Sequence, residues 1–123
     1  MPVNLVQDNP AVKYQRIHGY INGTYTAATD DDSDYHGAAL LNGVLTINPG
    51  FKPERVMFQN VTARTSVEWF KGMLFGDTLT TAVDGVKALN TANIVEVSVG
   101  GIVTFVLSGQ VTDNETVVWV IEG

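Results

Sequence analysis

Glycine-containing dipeptides punctuate this chain at short intervals and leave little room for a long helix. Asn22-Gly23 separates IHGYI from TYTAA, Asn42-Gly43 separates AALL from VLTI, Asp84-Gly85 separates TTAV from VKAL, and Gly100-Gly101 separates NIVEVSV from IVTFVLS. Asn-Gly supplies the positive φ angles of a two-residue type I′ turn, whose twist matches that of the strands it joins. Asp-Gly and Gly-Gly repeat the device. The flanking runs are rich in β-branched and aromatic residues, which pack well on a pleated surface. The expected fold is therefore all-β: an antiparallel β-sandwich or barrel of about eight to nine short strands joined by Asn-Gly, Asp-Gly and Gly-Gly hairpins.

The longest alternating block is GFKPERVMFQNVTARTSVEWFKGM, from Gly50 to Met73. Successive side chains on a strand change face. Val56, Phe58 and Asn60 therefore share one face of the first run, and Val67, Trp69 and Lys71 share one face of the second. Apolar residues fall on both faces, as expected of strands covered fully on one side and in part on the other. Pro49 and Pro53 keep any helix from running into the block. Later runs, Ile94–Val99, Ile102–Leu107 and Thr116–Ile121, alternate in the same way.

At 123 residues the chain reads as a single domain, large enough to bury a core without cross-links. Residues 1–16 read as a short irregular N-terminal arm, because Pro2 and Pro10 break any long helix, and residues 17–123 as the β domain. There is no cysteine, hence no disulfide framework and no thiolate metal site. The net charge is −6 and the basic residues are scattered, which argues against nucleic acid as a partner. No apolar run approaches the roughly 18 residues of a membrane span, and MPVNLVQDNP lacks the basic and apolar regions of a secretory signal. Synthesis in a cytoplasm is the expectation.

Catalytic signatures are missing from the sequence. Only His18 and His36 could serve as a general base, and no GxSxG elbow, phosphate-binding loop or dinucleotide fingerprint accompanies them. The chain is expected not to be an enzyme and to need no cofactor. Asp30, Asp32 and Asp34 have the 1, 3, 5 spacing of a calcium loop, but Tyr35 and Leu41 stand where such a loop needs glycine and glutamate. A solvated acidic loop between hairpins is the favoured reading over a metal site. The sequons at Asn22, Asn60 and Asn114 read as turn and strand-end positions. Trp69 and Phe70 are adjacent and must point to opposite faces, so one of them lies in the core and the other marks a contact surface. Trp69, Phe70 and Phe75 are the candidate interface residues.

The segment GFKPERVMFQNVT followed by VEWFKGM resembles small structural proteins of tailed bacteriophages, encoded beside the major capsid protein. The residues that carry the resemblance are Gly50, Phe51, Pro53, Val56, Asn60, Thr62, Glu68, Trp69, Gly72 and Met73, with Asp84-Gly85 following, and they span about half the chain. The resemblance implies a virion component, a head decoration or cement protein on the capsid surface. Its implied partner is the major capsid protein, and its implied state a homo-oligomer, with a trimer suiting a lattice three-fold. It brings no catalytic residues. Two other classes stay open: a tail- or fibre-associated glycan-binding adhesin module using exposed aromatic and acidic residues, and a small hydrolase built on His18 or His36.

Overall fold

The computed structural model describes residues 3–8, 15–27, 32–35, 38–74, 76–107 and 109–123, the segments 3–8 and 32–35 by their backbone alone. Among them are twelve strands and no helix. The strands are β1 (Val3–Asp8), β2 (Arg16–Ile21), β3 (Asp32–Tyr35), β4 (Ala38–Leu41), β5 (Val44–Ile47) and β6 (Arg55–Asn60). They continue with β7 (Thr65–Phe70), β8 (Thr78–Thr81), β9 (Lys87–Asn90), β10 (Val95–Val97), β11 (Val103–Val106) and β12 (Val117–Glu122). The seven-stranded sheet runs β1-β2-β12-β6-β7-β8-β9 and the five-stranded sheet β10-β11-β5-β4-β3, with every pairing antiparallel. The result is a sandwich; neither sheet closes on itself among the described strands.

The Gly50–Met73 block forms the centre of the larger sheet. Asn60 pairs with Thr65 and Arg55 with Phe70, so a four-residue loop joins β6 to β7, closed by Arg64 at φ 61°. Val56, Phe58 and Asn60 are buried, whereas Arg55, Met57 and Gln59 face outward. Burying Val117, Trp119 and Ile121 on β12 beside them builds a continuous inner face. Across the core, the Phe58 ring stacks on Phe105 of β11, centroids 4.2 Å apart and planes 11° from parallel. That contact sets β6 over β11. Each large side chain so buried contributes about 1.5–3 kcal/mol against the ordering entropy of its strand.

The turns refine the expectations drawn from glycine. Only Asn42-Gly43 is a two-residue loop with both φ angles positive, 49° and 75°, joining Leu41 to Val44. At Asp84-Gly85 and Gly100-Gly101 the loop has three residues. Gly85 N–H donates to Ala82 C=O and Ala82 N–H to Val86 C=O; Gly101 N–H donates to Ser98 C=O and Ser98 N–H to Ile102 C=O. Gly85 (φ 88°) and Gly101 (φ 90°) hold the left-handed position that closes this type of loop.

Asn22-Gly23 departs from expectation. It makes no hairpin: β2 pairs instead with β1 and β12, and only Gly23 of the dipeptide has a positive φ. The alternating burial of Tyr25 and Ala27 is real, but their amides are met by side chains. Tyr25 N–H donates to Asn114 Oδ1 and Ala27 N–H to Asp113 Oδ1, each at 2.8 Å. The Tyr25 hydroxyl donates to Glu115 C=O. Burial, with Glu115 and Asp113 nearby, pushes that hydroxyl up to about 12. Glu115 Oε1 in turn accepts from Asn60 Nδ2 at 3.0 Å and from Thr112 N–H at 2.6 Å. Residues 112–116 thus act as a polar clasp between the segment after β2 and the end of β6.

The N-terminal stretch expected to be an irregular arm contains β1, paired along its length with β2 from Val3↔Ile21 to Asp8↔Arg16. β1 and β3 are among the strands beyond the number anticipated, each at the end of its sheet, and β3 is wholly polar apart from its tyrosine. An edge strand is held by backbone bonds on one side and needs no apolar alternation.

Candidate interaction surfaces

The acidic segment does not form the loop read from its spacing. Asp32 and Asp34 lie on β3, paired with β4 through Asp32↔Leu40 and Tyr35↔Ala38 with an irregularity between, while Asp30 and His36 lie outside the described residues. A calcium loop folds back around its ion, which an extended strand does not. Among the described residues no group of three acidic or histidine side chains gathers in metal-binding geometry. His18 stands on the outer face of β2, in register with Val6 and Val120.

Trp69 and Phe70 separate as strand geometry requires. Trp69 is half-buried and packs against the core, and Phe70, 39% exposed, stands on the outer face; Phe75 lies outside the described residues. Around Phe70, the outer face of the larger sheet is uncovered by any other described part of the chain. Register places His18, Val120, Met57, Glu68, Leu79 and Leu89 in one row across six strands.

A network of charges runs through this face. Arg55 Nη1 meets Glu122 Oε1 at 2.8 Å, Arg55 Nη2 meets Glu68 Oε2 at 3.3 Å, and Lys87 Nζ lies 3.7 Å from Glu68 Oε1. The Arg55 guanidinium also sits 6.0 Å from the centre of the Phe70 ring. Such part-exposed pairs contribute only about 0–1 kcal/mol each. Their consequence is order: β12, β6, β7 and β9 present a fixed pattern of charge beside apolar groups. The linear sequence does not show this network, since the ladder alone brings positions 55, 68, 87 and 122 together.

Two clefts open at the rims of the sandwich. The larger, about 330 Å³, lies on the inner face of β7, β8 and β9, where Val67, Thr80, Ala88 and Asn90 meet Phe105 and Val111. The sheets explain it. β1 lies against β3 and β4, β6 stacks over β11, and Trp69 of β7 and Val97 of β10 line a common cleft, so β8 and β9 project beyond the last strand of the smaller sheet. That second cleft, about 230 Å³, has Trp69 in its wall with Lys52, Glu54, Lys71 and Val99. Trp119, at 1% exposure, takes no part in either surface.

The asparagines of two sequons have structural tasks. Asn60 is buried at the end of β6, and Asn114 (φ 67°) accepts the Tyr25 amide. No known protein family, curated protein or solved structure matches this chain.

Proposed function

We propose that this chain is a non-enzymatic virion structural protein of a tailed bacteriophage, a decoration or cement protein that sits on the capsid surface and binds the major capsid protein. The observation that carries the reading is the position of the phage-like segment. Gly50–Met73 supplies β6 and β7, the middle of the larger sheet, and turns Arg55, Met57, Glu68 and Phe70 toward solvent on a face nothing described in the chain covers. A rigid β surface of mixed apolar and paired charged groups loses little entropy on docking. Repetition over a lattice converts modest single contacts into durable attachment.

The test is co-sedimentation of the purified protein with expanded heads that lack it. Saturable binding at a ratio fixed by the lattice is expected, and Phe70→Asp weakens it at least tenfold without moving the melting temperature. Absence of binding to heads, or absence of the protein from purified virions, overturns the reading. The Trp69 cleft favours a second one, a tail- or fibre-associated glycan-binding module in which the half-buried indole and the flanking Lys52 and Glu54 hold a sugar. A glycan array without hits removes it.

A further inference from the structure

The β8–β9 hairpin is the least covered part of the fold. Every residue from Ala82 to Leu89 is exposed, with Val83 at 62%, Val86 at 61% and Leu89 at 63%. A strand with both faces wet is weakly held, and among the described strands β9 is paired on one edge only, with β8. The ladder fixes which groups that edge offers. Ala82 N–H donates to Val86 C=O, so Ala82–Val86 is a hydrogen-bonded pair. By alternation Thr80–Ala88 is also one, while Thr81–Lys87 and Leu79–Leu89 are not. The N–H and C=O groups of Lys87 and Leu89 therefore point away from β8.

We infer that β9 is a self-association edge, on which two copies of this chain pair antiparallel about a two-fold axis through Ala88. Lys87 then lies opposite Leu89 of the second copy, and Leu89 opposite Lys87, completing two hydrogen-bonded pairs. Ala88 meets Ala88 on the axis as a non-hydrogen-bonded pair. The strand suits its own copy in each row. On the outer face, Leu89 is covered by the aliphatic stem of Lys87 from the second copy. The two ammonium groups each keep the Glu68 carboxylate of their own chain, 3.7 Å away, so the axis carries alternating charges. On the inner face the smallest apolar side chain occupies the closest approach, and Val86 gains Asn90 of the second copy as its neighbour. Val86, Ala88 and Asn90 also line the larger cleft, so pairing joins the clefts of both copies. The two seven-stranded sheets become one continuous sheet, and the exposed Val86 and Leu89 lie at its seam.

This inference goes beyond the proposed function, gives a two-fold dimer where the phage resemblance suits a trimer, and is measured without capsids, so each can fail alone. Light scattering at high micromolar protein should give twice the mass of the chain. Ala88→Cys adds the only thiol to a cysteine-free chain, at a pair whose Cα atoms lie about 4.5 Å apart, within disulfide reach. Under mild oxidation it should cross-link nearly completely, whereas Leu41→Cys, an exposed position on the other sheet, should not. Leu89→Pro removes an outward amide and spares the β8 ladder, and Leu89→Lys adds a like charge at the seam; both should yield monomer. A monomeric wild type overturns the inference and leaves the edge to a strand of another protein. An oligomer that fails to cross-link through position 88 overturns it as well.

Discussion

Replacing Asn60 should loosen the clasp between the β6–β7 hairpin and residues 112–116. Asn60 is 5% exposed, yet both ends of its amide are used: Nδ2 donates to Glu115 Oε1 at 3.0 Å, and Oδ1 accepts from Ala63 N–H at 3.0 Å. The first bond ends on a carboxylate and belongs to the class that contributes about 1.5–3 kcal/mol; the second, between neutral groups, contributes about 0.5–1.5 kcal/mol. Asn60→Ala should therefore cost roughly 2–4 kcal/mol, read as a fall in the urea midpoint at unchanged slope. Asn60→Asp keeps the acceptor for Ala63 but sets a second carboxylate against Glu115. At neutral pH it should cost at least as much as the alanine. Like-charge proximity raises the folded-state pKa of the pair above the unfolded value of about 4. A raised pKa gives stability that is present at low pH and lost as pH rises through it, so the excess cost of Asn60→Asp over Asn60→Ala should shrink between pH 7 and about pH 4. An equal excess at both pH values would refute a direct contact between positions 60 and 115.

Tyr25 should report alkaline unfolding, since its hydroxyl is pushed up to about 12 by burial and then by the Glu115 and Asp113 charges. Its contribution is whole below pH 10 and is lost as pH rises through about 12, so stability falls across that window in the wild type and less in Tyr25→Phe, as chemical denaturation at stepped pH will show. Trp69→Ala, which would cost about 3–5 kcal/mol at a fully buried site, should cost roughly 1.5–3 kcal/mol because the indole is half-buried at a cleft rim; thermal melts decide between these values. Gly101→Ala should destabilise more than Gly85→Ala. Both sit near φ +90°, but an added Cβ meets the Phe51 carbonyl oxygen at 2.9 Å at position 101 and nothing within 4 Å at position 85. The shared backbone strain is about 1–2 kcal/mol and the excess at Gly101 measures the collision.

Local chemistry alone determined the all-β class and, in the alternating runs, which side chains share a face. β-branched runs punctuated by glycine exclude helices, and the two-residue period placed Val56, Phe58 and Asn60 on one face and split Trp69 from Phe70. Those properties depend on neighbours in the chain, so they are written in it. Asn42-Gly43 was legible for the same reason, because both φ angles it needs belong to that dipeptide.

Partnership was settled only by the tertiary structure. Asn22-Gly23 looks like Asn42-Gly43, but β2 finds better partners in β1 and β12, from opposite ends of the chain, and its following segment is held by Asp113 and Asn114. The acidic run at Asp32–Tyr35 became a strand because a neighbouring edge satisfied its backbone, a gain that its own propensity does not predict, and Val3–Asp8 is held in the same way by β2. The Arg55–Glu68–Glu122–Lys87 network and the overhang of β8 and β9 follow from register and from seven strands facing five. In the Gly50–Met73 block the sequence thus determined which side chains face outward, and the fold decided that no described part of the chain covers this face or pairs with the outer edge of β9.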